Sequence, residues 1–293
     1  MENIKYIDRK NGQQKTEDVP GEGMLKWLYN TSSGKVALHV LLKRKIVSAL
    51  GGWFMDSKLS AGRVQEFVTQ NNIDLNEYRI TDTKQFRTFN QFFYRKLKPG
   101  ARPLGQNIIS PADGKLLAFQ SLKNVSNFFI KGVEFTTMDF LQDEKLAKKY
   151  HDGAMLIVRL APADYHRFHF PADGKISDSK QINGYYFSVS PLALKKSLKI
   201  FCQNLREYSI LSNEKYGDIL ISEVGATMVG GITQTYIPDS KIKKGDEKGY
   251  FSFGGSTLVL LFEKDKITFD QDLLQNTQKG LETAIKMGES IGK

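Results

Sequence analysis

The segment that most constrains this chain is an apolar run, Leu258-Val259-Leu260-Leu261-Phe262, entered through Gly254-Gly255-Ser256-Thr257. The run reads as a buried strand. The approach to it, Lys244-Gly245-Asp246-Glu247-Lys248-Gly249, is polar and rich in glycine. Ser256 therefore stands where a permissive backbone meets a rigid element. Glycine at 255 has no side chain to block attack on its carbonyl and tolerates strained dihedrals. The Ser256 hydroxyl can reach that carbonyl in an N-to-O acyl shift, giving an ester. Elimination and hydrolysis then leave a pyruvoyl group on the new N-terminus. A glycine–serine turn ahead of a core strand usually does none of this, so the reading depends on its companions.

Two companions stand out. Tyr165-His166-Arg167-Phe168-His169-Phe170-Pro171 carries two of the four histidines, and Ser110-Pro111-Ala112-Asp113-Gly114 presents a carboxylate on a Pro/Gly turn. Serine, histidine and aspartate make a nucleophile, base and orienter set, assembled from distant positions. The order here is Asp, His, Ser. Pro111-Ala112-Asp113-Gly114-Lys115 recurs as Pro171-Ala172-Asp173-Gly174-Lys175. On motif grounds either aspartate fits, although Asp173 reads more simply as a turn carboxylate. His169, between two phenylalanines, also fits a hydrogen-bonded core histidine, and His166 a loop histidine. No G-x-S-x-G elbow is present, which counts against a serine hydrolase. His166-x-x-His169 lacks a third ligand and there is no cysteine pair, so no metal site is expected.

The chain has 293 residues and a net charge of +10. The charge points to nucleic acid or to an anionic membrane surface. Zinc-finger spacing, a recognition helix and an RNP-like aromatic motif are all missing, so nucleic acid is not the expected partner. Cys202 is the single cysteine. It excludes an intramolecular disulfide, fits a reducing compartment and reads as a small hydrophobe on a helix face. The N-terminus has no apolar signal core, and no stretch reaches the roughly 18 to 20 apolar residues that a membrane span needs.

Residues 1 to about 22 read as a strand-and-turn lead, marked by Asn11-Gly12 and Pro20-Gly21. Met24 to Gln70 reads as helical, broken at Gly51-Gly52. Within it, Lys35 to Lys58 combines Val36, Val40, Leu41, Ile46, Val47, Leu50, Trp53 and Phe54 with Lys35, Lys43, Arg44, Lys45 and Lys58. This suits a helix lying among lipid headgroups, and equally a core helix with a basic outer face. A linker and a helix over Asn90 to Lys98 follow, closed by Pro99-Gly100. From about residue 101 the texture changes to short strands: Ala154 to Leu160, Asp218 to Ile221, Thr227 to Tyr236 and Leu258 to Phe262. Leu192 to Tyr208 and Leu281 to Met287 read as helices. The expected fold is α+β, with a helical N-terminal part over 1–100 for docking and a β-rich, mainly antiparallel catalytic part over 101–293.

Taken together and in order, these motifs resemble the phosphatidylserine decarboxylases, pyruvoyl-dependent enzymes that make their own prosthetic group. The resemblance covers most of the chain. It runs through Phe89-Asn90-Gln91-Phe92-Phe93-Tyr94-Arg95-Lys96-Leu97-Lys98, Ala101-Arg102-Pro103, the Ser110 to Gly114 turn, Ala161 to His169, Val224 to Gly230 and Lys244 to Phe253. One departure is visible: the common family form is LGST, and Gly254 stands where that leucine would be. The resemblance implies self-cleavage between Gly255 and Ser256 into chains 1–255 and 256–293 that stay associated. Ser256 becomes the pyruvoyl group, which takes up the amine of phosphatidylserine as a Schiff base. The resemblance makes His169 the base for processing, Asp113 its orienter, and His166 the contact for the substrate carboxylate and the handler of its proton. His39 and His151 are left outside the site. The implied lipid substrate favours membrane contact by the basic helix, at the cytoplasmic face of the cell membrane as a peripheral protein. A pyruvoyl enzyme for a soluble amino acid is the nearest alternative, but it would not require that helix. A non-enzymatic membrane module would leave the Ser, His and Asp motifs unexplained. Homo-oligomers are compatible with the sequence and not required by it.

Overall fold

The computed structural model describes residues 5–17, 45–124, 135–185, 199–225 and 231–293. A hairpin of β1 (Lys5–Asp8) and β2 (Gln13–Thr16) comes first. Helices α1 (Lys45–Asp56) and α2 (Arg63–Gln70) flank a 3-10 turn over Lys58–Gly62, and the short α3 (Phe89–Phe93) follows. Strands then dominate. β3 (Ile108–Ile109) and β4 (Gly114–Phe119) precede α4 (Thr137–Leu141) and α5 (Glu144–Tyr150). β5 (Ala154–Leu160), β6 (Arg167–His169), β7 (Gly174–Ile176) and β8 (Lys180–Ile182) lead to α6 (Lys199–Gln203). A long hairpin, β9 (Arg206–Asn213) and β10 (Gly217–Gly225), is followed by β11 (Ile232–Gln234), β12 (Lys241–Ile242), β13 (Glu247–Phe251) and β14 (Ser256–Phe262). The chain closes with α7 (Gln271–Gln278), β15 (Glu282–Ile285) and β16 (Ser290–Gly292).

The main sheet runs β12-β7-β9-β10-β14-β5-β4-β15-β1-β2, with β8 also on β9. All its pairings are antiparallel except β1 with β15. A second sheet, β11-β13-β6, carries the histidine segment, and β16 pairs with β3. The fold is thus α+β, with a mixed, mostly antiparallel sheet.

β14 lies between β10 and β5, and all of its residues are buried. Side chains alternate across a strand, so Leu258, Leu260 and Phe262 enter one core while Val259 and Leu261 enter another. The sheet therefore divides two cores. A third core gathers Met55, Val64, Phe89, Phe92 and Phe93 from the helices, and Tyr165 and Phe253 pack with it. This third core joins the helical part to the two segments that flank Ser256 and the histidines. Thr88 caps α3, accepting from the Gln91 N–H at 3.0 Å, and so fixes where Phe93 points.

Several local readings are corrected. α1 runs through Gly51-Gly52, and the break falls at Ser57 to Gly62. Gly52 is buried on the same face as Met55, so packing outweighs the propensity cost of about 1 kcal/mol per glycine. The helix expected over Asn90 to Lys98 ends at Phe93, because the chain beyond it pairs with another segment: Arg79 N–H donates to Lys96 O and Lys98 N–H to Glu77 O. Arg206 to Tyr208 belongs to β9, paired along β10. Leu281 to Met287 is not a helix: Glu282–Ile285 is a strand between β4 and β1. The basic residues Lys35, Lys43 and Arg44, together with His39, lie outside the described residues. Among the described residues no helix is long and apolar enough to cross a membrane.

Candidate active site

Ser256 is the first residue of β14, opposite Gly225 of β10 and Leu160 of β5. It is fully buried, and its Oγ has no hydrogen-bond partner among the described residues. The neighbouring Thr257 Oγ1 is in the same state. A buried hydroxyl left unsatisfied costs about 1–3 kcal/mol, so the site stores a destabilised nucleophile. Gly254 has φ +150°, a backbone that L side chains rarely adopt, so glycine at the departure from LGST suits the local chain path. The approach is tied down by Phe253 N–H, which donates to Asn90 Oδ1 at 2.7 Å.

His166 is linked to Phe253 of this approach through one intervening ring. Its ring stacks on Phe93 at 3.7 Å between centroids, and Phe93 in turn meets Phe253 edge-on at 5.2 Å. Its Nδ1 lies 3.0 Å from Asp164 O. A carbonyl only accepts, so Nδ1 carries the proton and Nε2 presents a lone pair. That Nε2 is buried and has no partner among the described residues. Burial, with the positive charge of Arg95 nearby, pushes its pKa down to about 3 against the pull of the Asp164 carbonyl. His166 is therefore neutral near pH 7 and has no Nε2 proton to offer a carboxylate. In this state its Nε2 can accept a proton or a hydrogen bond.

His169 sits on β6. Its Nδ1 donates to Gly245 O at 2.9 Å, and Tyr165 Oη donates to its Nε2 at 3.0 Å. Burial lowers its pKa, opposed by the Gly245 carbonyl and by the charges of Glu247 and Asp113. The tautomer is thus held by a backbone carbonyl of the Lys244 to Gly249 segment, not by a carboxylate.

Asp113 is 8% exposed, and its partners lie elsewhere. Arg102 grips it in a two-pronged contact, Nη2 at 2.8 Å and Nε at 3.3 Å, and Met287 N–H donates to Oδ1 at 2.8 Å. Arg102 also pairs with Glu77 at 2.8 Å. Asp113 thus reaches His169 through its field and not through a hydrogen bond, which corrects the expectation of a direct orienter. The reason is competition: a bidentate guanidinium is a stronger partner for a carboxylate than a neutral imidazole. Asp173 is exposed and accepts the Lys244 N–H at 2.7 Å. His151 is exposed beside Asp152, outside the site.

One further charge pair braces the region. Lys248 on β13 and Glu223 on β10 are both fully buried and meet at 2.8 Å, with Gln234 bonded to each. Burial opposes the charge on both members, lowering the lysine and raising the glutamate. The pair couples the histidine sheet to the strand beside Ser256. Tyr165, Gly245, Arg102 and Phe93 all stand inside the motifs quoted above, but their spacing carries no signal of which atom each would meet. Among the described residues no cluster of side chains suits a metal ion.

The family model for phosphatidylserine decarboxylase matches residues 89–293, which include Asp113, His166, His169 and Ser256. The chain belongs to the phosphatidylserine decarboxylase family. Membership makes it a decarboxylase. It is similar over 100% of its length to the phosphatidylserine decarboxylase proenzyme of Fusobacterium nucleatum, with 54% identity and 98% of that relative covered. The proenzymes of the same name from Clostridium novyi and Ruminiclostridium cellulolyticum are 47% and 46% identical, each over 99% of this chain and over 99% and 97% of the relative. The family match begins at α3, the helix whose Phe93 stacks on His166.

Proposed function

We propose that the protein converts phosphatidylserine to phosphatidylethanolamine and carbon dioxide with a pyruvoyl group made from Ser256, after cutting its own chain between Gly255 and Ser256. The observation that carries this reading is the buried Ser256 Oγ, without a hydrogen-bond partner among the described residues, directly after a glycine at the head of a central strand. The name proenzyme, borne by the relatives, agrees with it.

In processing, Ser256 Oγ attacks the Gly255 carbonyl carbon and gives up its proton. His169 Nε2 is the base, freed when the Tyr165 hydroxyl turns away, and Gly245 O keeps the other nitrogen protonated. The negative field of Asp113 stabilises the imidazolium. The Gly255–Ser256 amide becomes an ester. Loss of the Ser256 Cα proton expels the ester carboxylate with Oγ, and hydrolysis of the remaining unsaturated residue releases ammonia. The residues present fit a pyruvoyl group, because the departing oxygen has no hydrogen bond to any described residue, and its loss breaks none of theirs. Once formed, the group supplies an electron sink for the carbanion left by carbon dioxide. His166 contacts the substrate carboxylate, whose negative charge raises its pKa from about 3, and supplies the proton that the substrate carbon takes up after carbon dioxide leaves. Phe93 covers one face of the His166 ring. The two chains stay together because β14 is paired on both edges.

The same reading places the protein on the cytoplasmic face of the cell membrane as a peripheral protein. Trp53 and Leu59 support this, standing 74% and 83% exposed beside the third core, whereas Phe54 turns inward against it. Sedimentation with phosphatidylglycerol vesicles tests it, and a protein that stays in the supernatant at low salt would refute it.

Intact mass decides the chemistry. The wild type should give two fragments, the smaller one blocked at its N-terminus, while Ser256→Ala should stay one chain and release no carbon dioxide. A Ser256→Ala protein that is still cut would remove the mechanism.

A further inference from the structure

On the outer side of α3 a cavity of about 550 Å³ is lined by Arg79, Arg87, Arg95, Lys96 and Arg167 together with neutral residues. No aspartate or glutamate lines it. Arg79, Arg87 and Lys96 are exposed at its rim, whereas Arg95 and Arg167 are buried. Among the described residues only Arg167 has a carboxylate partner, Glu247 at 2.7 Å. Like charges gathered without acids repel one another, and an anion relieves that repulsion.

Arg95 adds an independent sign of a ligand. It is 3% exposed, and its Nε has no hydrogen-bond partner among the described residues. Its Nη2 is engaged, donating to Ala163 O at 2.9 Å, to Tyr78 Oη at 3.2 Å and, more weakly, to Asp164 O at 3.4 Å, and its Nη1 donates to Phe92 O at 3.4 Å. Asp164 O also receives the His166 Nδ1 proton at 3.0 Å. One carbonyl oxygen therefore links the buried end of the cavity to the histidine that handles the substrate proton. In a phosphatidylserine headgroup only an ester oxygen and two carbons separate phosphorus from the amine. A phosphate held beside Arg95 would therefore require the reacting amine close by, past the Asp164 carbonyl on which His166 is fastened.

We propose that this basic cavity holds the phosphodiester of the lipid substrate, with Arg95 as its inner contact and Arg79, Arg87 and Lys96 as its outer ones. The inference rests on the decarboxylase reading and adds to it the residues that recognise the substrate. Guanidinium forks suit phosphate oxygens, and one lost charge-assisted hydrogen bond corresponds to about tenfold in affinity.

The test uses Arg87→Gln/Lys96→Gln, both at exposed positions, with short-chain phosphatidylserine dispersed in detergent and inorganic phosphate as a probe at constant ionic strength. Two-fragment processing on a denaturing gel reports folding. The expected result is a KM raised about tenfold or more with kcat little changed, and competition by inorganic phosphate in the wild type that weakens in the variant. An unchanged KM with undiminished phosphate competition overturns the proposal. So does an unchanged KM in detergent combined with weaker sedimentation on phosphatidylglycerol vesicles, which would make the cavity a general membrane contact. Failure of the parent reading looks different, as a wild-type chain that stays uncut and inactive. Calorimetry with inorganic phosphate then still reports whether the cavity binds that anion, and no heat above background in the wild type also counts against the site.

Discussion

The two Pro-Ala-Asp-Gly-Lys turns share five residues and differ in what they do. Each leads into a strand, β4 or β7, at its glycine. Both glycines are needed for the same reason: a Cβ at Gly114 would lie 2.6 Å from Arg159 O, and one at Gly174 would lie 2.4 Å from Ser212 O. There the likeness ends. β4 sits inside the sheet between β5 and β15, whereas β7 lies next to its end. Asp113 is consequently buried, gripped by Arg102 and tied to Met287. Asp173 is exposed and only fastens the Lys244 N–H. Five residues dictate a turn. The strand's place in the sheet decides whether its carboxylate meets water or a buried guanidinium.

The comparison breaks or holds most plainly in maturation. Asp113→Asn leaves Arg102 short of a charge, and the expected outcome is self-cleavage slowed about 100-fold or more with about 2 kcal/mol lost in thermal unfolding. Asp173→Asn keeps a hydrogen-bond acceptor and should mature and melt like the wild type. A time course on denaturing gels checks both, and equal behaviour of the two variants would abolish the distinction. The next largest effect extends the contrast to lysine. Lys248→Met strands Glu223 in the interior and should cost about 3–5 kcal/mol, most of it recovered in Lys248→Met/Glu223→Leu. Lys148→Met breaks an exposed pair with Glu144 and should leave the denaturant midpoint where it was. Taken per pH unit, the smallest effect is on pH. His166 is neutral when folded, with a pKa near 3, while the unfolded chain has the ordinary value of about 6.5. Between those values the unfolded state binds the extra proton, so stability falls as pH drops through this window, by up to about 1.4 kcal/mol per pH unit. His166→Gln should flatten that slope, with the exposed His151→Gln as its control. Urea titrations at a series of pH values decide it.

What could be read from the sequence follows the same division between local and distant causes. β14 and β5 were legible because each carries an apolar run, Leu258 to Phe262 and Ala154 to Val158. The Asp, His and Ser motifs were legible as residue types. Their partners were not, since the Gly245 carbonyl on His169 and the Arg102 fork on Asp113 come from chain segments that no periodicity links. Glu282–Ile285 misled because its helix-compatible residues become a strand only once β1 and β4 offer their edges. Gly51-Gly52 misled for the complementary reason, as burial of Gly52 in α1 overrides a propensity that counts only in isolation.

The central place of β14 has a consequence for the life history of the molecule. Before the proposed cut, β5, β10 and β14 belong to one chain, and unfolding can be undone at any dilution. Afterwards, β14 and β15 travel on a separate piece that must find the larger one by diffusion, and the refolding rate then depends on concentration. The proposed cut changes little in a standing sheet, because the pairings of Thr257 to Phe262 with β10 and β5 lie beyond it. It changes what happens after the sheet comes apart. The precursor can fold repeatedly, while the mature protein, once dismantled in dilute solution, has lost the tether that first assembled it.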